Sequence, residues 1–136
     1  MSRRKARVLA LEALYAYESR KQPIPELLQF GWIEENKMQR IKEEELSFSR
    51  LMVAGTIENL KRIDTVIREH LQNWDFSRLK RVDLAVLRIS TYSLMFQKDI
   101  HSSIVIEEAV ALCMLYSTDD SFKFVNGVLD TIKNAL

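Results

Sequence analysis

The sequence predicts an all-α protein, a compact bundle of about six or seven helices in two packed helical subdomains. Three observations carry the helical expectation. Apolar residues recur at three- and four-residue spacing over long stretches. Only three glycines and two prolines interrupt the 136 residues, too few for the tight turns of an all-β chain. The one run with strand propensity, Ile104-Val105-Ile106, has no second strand with which to pair. With 47% hydrophobic and 29% charged residues, the chain is globular material of one-core size.

The first helix is expected from Arg3 to Ser19, where Val8, Leu11, Leu14 and Tyr15 keep helical spacing among strong helix-forming alanines. Pro23-Ile24-Pro25 ends it. A short helix from Glu26 to about Glu35 would bury Leu27, Leu28, Phe30 and Ile33, weakened by Gly31. Residues 36–44 read as a charged loop or a ragged helix start. A long periodic stretch follows from Glu45 to Gln72, where Phe48, Leu51, Met52, Ile57, Leu60, Ile63, Val66, Ile67 and Leu71 keep helical spacing. It is either one helix or two joined by a kink near Asn59, and Gly55 offers a place for close helix approach. Residues 73–77 break the pattern, and Ser77 is the expected cap of a helix from Leu79 to Gln97. That helix would turn Leu79, Val82, Val86, Leu87, Ile89 and Leu94 inward. Ile104 to Leu115 is expected as a nearly continuous apolar helix. A turn rich in capping residues, 117–121, leads to a last helix from Phe122 to Asn134.

Net charge is +1, but its distribution is uneven. Residues 1–21 carry six cations (Arg3, Arg4, Lys5, Arg7, Arg20, Lys21) against Glu12 and Glu18, a net of +4. Residues 100–136 carry two cations against five carboxylates, a net of −3. Screening limits the reach of a charge to ~8–10 Å, so local clusters govern polyanion binding. Cations in the first helical turn oppose the helix dipole, a cost that favours a functional reason for them. A solvated helix start competes with that reading.

Nothing in the chain argues for catalysis. Cys113, the single cysteine, excludes an intrachain disulfide and a cysteine-cluster zinc site, and it reads as a buried small hydrophobe. His70 and His101 stand apart from other metal-ligating residues, so no metal and no cofactor is expected. The carboxylate pairs Glu107-Glu108 and Asp119-Asp120 point to different helix faces and form no acid/base dyad. The amino terminus leads into an amphipathic stretch instead of a signal sequence, and no apolar run approaches the ~20 residues of a membrane span. Cytoplasmic residence, with no membrane partner, is the expectation.

Three blocks of residues carry a resemblance. Arg3-Arg4-Lys5-Ala6-Arg7 runs into Ala13-Leu14-Tyr15. Leu71-Gln72-Asn73-Trp74 precedes Arg78-Leu79, Val82-Asp83 and Val86-Leu87-Arg88-Ile89. Ile106-Glu107-Glu108-Ala109-Val110 precedes Lys123-Phe124-Val125-Asn126-Gly127-Val128-Leu129-Asp130. In this order they make the chain resemble the family of the transcription antitermination factor NusB. The resemblance implies two packed helical subdomains meeting near 73–77 within a single RNA-binding domain, 1–136. It implies no enzyme activity. It also implies binding of boxA, a single-stranded RNA element of ribosomal RNA operon leaders, together with NusE, a small-subunit ribosomal protein. The pair would help assemble an antitermination complex on RNA polymerase. Some members form homodimers that cover the RNA surface, and the residues leave that state open here.

By that resemblance the RNA surface comprises Arg3, Arg4, Lys5, Arg7, Tyr15, Lys123 and Phe124, and the NusE surface includes Asp83. The chemistry suits unpaired RNA, where cations meet phosphates and aromatic faces stack on bases. Core packing competes for Tyr15 and Phe124, and local pairing with Lys80 or Arg81 competes for Asp83. Phe122 reads as a packing residue, and Gly127 as a point of close helix approach. Asp119 and Asp120 beside Lys123 are expected to weaken RNA binding by repulsion. Glu107 and His101 stand where the family commonly has Asn and Pro, and 22–45 matches little. A helical scaffold that binds protein and not RNA is the alternative. The NusB-like domain of RNA cytosine methyltransferases is set aside, because 136 residues leave no room for the enzyme.

Overall fold

The computed structural model describes residues 2–116 and 120–136. Among them the helices are α1 (Arg3–Arg20), α2 (Ile24–Leu27), α3 (Glu35–Met38), α4 (Glu43–Glu58), α5 (Leu60–Glu69), α6 (Arg81–Phe96), α7 (Ser102–Tyr116) and α8 (Ser121–Ala135). A single 3-10 turn spans Phe76–Arg78, and no strand occurs among the described residues. The all-helical expectation is met, and residues 104–106 are helical. The chain divides into two compact units, Met1–Glu58 and Asn59–Leu136. The break at 73–77, where the sequence suggested a subdomain boundary, lies within the second unit.

In the first unit α1 packs on α4. Ala6, Leu9, Ala10, Ala13 and Leu14 bury one side of α1. Lys21, at φ 54°, turns the chain out of the helix and donates its N–H to the Tyr17 carbonyl at 2.7 Å. The helix expected over 26–35 is reduced to the single turn of α2, because Phe30 adopts φ 52° and stops propagation. Leu27 and Phe30 are still buried, as expected. On α4 the inward positions are Glu45, Leu46, Ser49, Met52, Val53 and Thr56. Leu51 falls on the opposite face and is exposed, contrary to its apolar character.

Asn59 interrupts the long periodic stretch, as the kink reading anticipated, and α5 begins beyond it. In the second unit α6 packs against α5, α7 and α8. Every residue of α6 from Asp83 to Leu94 is buried, four of them Arg88, Ser90, Thr91 and Ser93. Leu79 and Val82, expected inside, are only half-buried. Ser77 does not cap α6. It sits in the 3-10 turn, where its N–H and hydroxyl donate to Asp75 Oδ1 at 3.0 and 2.8 Å. Lys80 precedes α6 without a side-chain cap. His101 instead caps α7, its Nδ1 accepting from the Ser103 N–H at 3.1 Å. Gly127 is exposed, and a Cβ added there would meet nothing within 4 Å, so the close-approach role expected for it is absent. The expected capping turn falls partly on 117–119, outside the described residues.

Candidate nucleic-acid interface

Helical geometry sorts the amino-terminal cations into two groups. At about 100° per residue, Arg4, Lys5, Val8, Glu12 and Tyr15 fall within an arc of roughly 100°. Arg3 and Arg7, one turn apart, lie on another side of α1, towards Phe48 of α4. The guanidinium carbons of Arg3 and Arg7 stand 5.0 and 5.6 Å from the Phe48 ring centroid. Such cation–π contacts fix a guanidinium without neutralising it. Arg3, Arg4 and Lys5 are exposed, whereas Arg7 is only 4% exposed. Arg7 therefore sits beneath the surface, against the half-buried Phe48. Tyr15 is 42% exposed, so a purely core role is excluded.

The start of α1 is tied down twice. Ser2 Oγ accepts the Lys5 N–H at 3.2 Å, an ordinary N-cap. The Ser2 N–H donates to Glu45 Oε2 at 2.6 Å, while Glu45 Oε1 accepts the Lys42 N–H at 2.9 Å. One carboxylate thus closes the amino end of α4, as in a capping box, and holds the first turn of the basic helix. The Lys42 and Ser2 N–H groups keep the Glu45 carboxyl below its ordinary range against the opposing effect of burial, with help from the Lys5 charge. Sequence reasoning missed both Glu45 and Phe48 as supports of the basic helix. Their signals are an acid three residues after Lys42 and an aromatic of the partner helix, neither of which reveals its distant contact.

The second unit holds the remaining predicted residues. Lys123 is exposed on α8, with Nζ 3.7 Å from Asp120 Oδ1 and 5.9 Å from the Phe122 ring centroid. Phe124 is half-buried, and its ring centroid lies 5.1 Å from that of Trp74 at an interplanar angle of 58°. Phe122 is half-buried too. Asp119 lies outside the described residues. Asp83 was expected to face a protein partner. It is 5% exposed, and its Oδ2 accepts the Ser121 hydroxyl at 3.1 Å, tying α6 to the start of α8. A carboxylate so enclosed offers little exposed surface to a basic partner residue.

No cluster of three metal-ligating side chains occurs among the described residues, and no helix is long and apolar enough to cross a membrane. Cys113 is buried, and that burial, followed by the nearby Asp83 charge, pushes its thiol up to about 12. A thiol held in that way is not an activated nucleophile. The arrangement offers cations and exposed rings.

Comparison with known proteins agrees with these features. The model of the NusB family matches residues 4–134. The chain is 48% identical to the transcription antitermination protein NusB of Treponema pallidum (strain Nichols) over 132 residues, 97% of this chain and 92% of that protein. It is 48% identical to the protein of the same name from Treponema denticola over 135 residues, 98% and 97% of the two chains. Among solved structures, T. maritima NusB aligns with a TM-score of 0.85 at 35% identity, covering 98% of this chain and 92% of that one. A structure of the antitermination factors NusB and NusE in complex with double-stranded RNA aligns at 0.87 and 29% identity, covering 98% and 97%. The protein belongs to the NusB family of transcription antitermination proteins, which is not a family of enzymes.

Proposed function

We propose that this protein is a non-catalytic adaptor that binds the single-stranded boxA RNA of ribosomal RNA operon leaders together with NusE and helps assemble an antitermination complex on RNA polymerase. The observation that carries the RNA reading is the α1 face on which Arg4 and Lys5 share an arc with the exposed ring of Tyr15. Cations about three turns from an outward aromatic match the needs of a single strand: charge along the backbone and a face for an unpaired base. Arg3, held on Phe48, adds a third exposed cation to that end of the helix, and Arg7 lies beneath it on the same ring. Within the second unit, Lys123 and Phe124 supply an exposed cation and a half-buried ring of the same kinds. The solved NusB–NusE–RNA neighbour supports both partner classes. Asp83 accepts the Ser121 hydroxyl and so ties α6 to the start of α8.

Titration of labelled boxA, a scrambled strand and a duplex, each with and without NusE over a salt series, tests the reading. Tighter binding to boxA, enhanced by NusE, is expected. The salt slope should become shallower by about 0.7 for each phosphate contact removed with Arg4 or Lys5. Equal weak binding to all three RNAs, with no effect of NusE, would replace this reading with that of a protein-binding scaffold.

A further inference from the structure

Trp74 is 58% exposed, yet the loop that carries it is firmly built. On one side Asn73 adopts φ 64°, a left-handed conformation that asparagine tolerates. On the other, Asp75 receives two hydrogen bonds from Ser77. One residue further, Phe76 lies under the Arg68 guanidinium, with Cζ 4.2 Å from its ring centroid. A large apolar ring left in water forgoes the stabilisation of burial. Here the surrounding backbone is shaped to keep it outward. Its neighbour is Phe124, and the 58° tilt at 5.1 Å means that the two rings meet at an angle and do not cover each other face to face. The exposed Lys123 precedes Phe124 on α8.

We propose that Trp74 is an RNA-binding residue, forming with Phe124 a two-ring platform on which an unpaired nucleobase stacks, with Lys123 meeting an adjacent phosphate. This deepens the function proposed above and rests on it. A base has a π-face whatever its identity, so the platform adds affinity with little sequence preference. Indole offers the larger ring, and the loop holds it in place before RNA arrives, which reduces the ordering cost of binding.

The test uses the full chain and a single-stranded boxA RNA, without NusE and then with it. Trp32→Phe leaves Trp74 as the one tryptophan, so its fluorescence reports on the platform directly. RNA should quench that emission, as stacking requires. Trp74→Ala should weaken RNA binding about ten-fold, within the range for loss of one stacked base. Trp74→Phe, which keeps a ring, should recover most of the affinity. Thermal melting identifies any alanine variant that fails to fold, and the quenching and the phenylalanine variant then decide alone. Unquenched emission at saturating RNA, or a folded Trp74→Ala protein that binds like the parent, overturns the platform. So does a loss seen only for NusE binding and not for RNA alone, which would make Trp74 a protein contact. A parent that binds no RNA defeats the proposed function itself, and the platform with it. A parent that binds while Trp74→Ala matches it defeats the platform alone.

Discussion

Arginines are held by different means in the two units. In the first, Arg3 lies against the ring of Phe48 and remains exposed. In the second, Arg88 is buried in α6 and grips Asp64 of α5 through two bonds, Nε to Oδ1 and Nη2 to Oδ2, both 2.9 Å. An aromatic ring positions a guanidinium and leaves its charge available to a polyanion. A carboxylate positions it and cancels the charge, and the pair then serves packing and geometry. Arg3 of the first unit is thus arranged to present its charge, and Arg88 of the second to hide it.

The largest effect should come from breaking the hidden pair. Asp64→Ala leaves a buried guanidinium without its bidentate partner and should cost about 3–5 kcal/mol of unfolding free energy. Replacing both partners with apolar residues, Asp64→Leu with Arg88→Met, should recover most of that loss. Denaturant unfolding measures both. A cost for Asp64→Ala below about 1 kcal/mol, the value of a surface pair, would erase the distinction between the units.

The presented charge is the second point of attack. Arg4→Ala with Lys5→Ala should leave melting nearly unchanged, since both side chains are exposed. RNA affinity should fall, and the salt slope should become shallower by about 1.4, two single-strand phosphate contacts. Phe48→Leu should differ in kind. Arg3 loses its ring but keeps its charge, so affinity should drop a few-fold while the slope holds. Equal slope changes in the two variants would mean that Phe48 does not act as a positioning residue.

Much of the fold was legible because helices advertise themselves by period, and α1, α7 and α8 end within a residue or two of expectation. The kink at Asn59 was visible as well. The chain from Phe30 to Lys42 was not, because the left-handed turn at Phe30 arises from packing and has no glycine at that position to announce it. The polar residues of α6 were also illegible as core. Period assigns Arg88, Ser90 and Thr91 to solvent unless their partners, such as Asp64, are known. In the site, the cations of α1 were legible as a cluster but not as two groups, since that division depends on where α4 places Phe48. The burial of Asp83 was illegible for the same reason: its neighbour Ser121 is 38 positions away.

Acid should act unevenly on the start of α1. The folded Glu45 carboxyl is held below the ordinary 4.5 by the Lys42 and Ser2 N–H groups. A depressed folded value means that the carboxylate stabilises the native state above the unfolded value. That contribution disappears as pH falls from about 4.5 through the lower folded value. Thermal melting of parent and Glu45→Gln from pH 7 down to pH 3 should therefore show a gap that narrows on the acid side. A gap constant over that range would mean that charge has no part in tethering the basic helix.

The smallest effect sharpens the comparison from within the second unit. Gly127 occupies the middle of α8, has no left-handed φ, and has open space where a Cβ would stand. Glycine there carries the entropic cost of a flexible backbone with no packing return. Gly127→Ala should therefore raise stability by about 0.5–1 kcal/mol, measured by denaturant unfolding. If Asp64→Ala and Gly127→Ala are combined, their effects should add, because the two sites share no contact in the structure. An alanine that destabilises would place the glycine's value in the folded unit after all. An alanine that stabilises the protein while lowering its affinity for RNA or NusE would assign the open space above α8 to the binding surface.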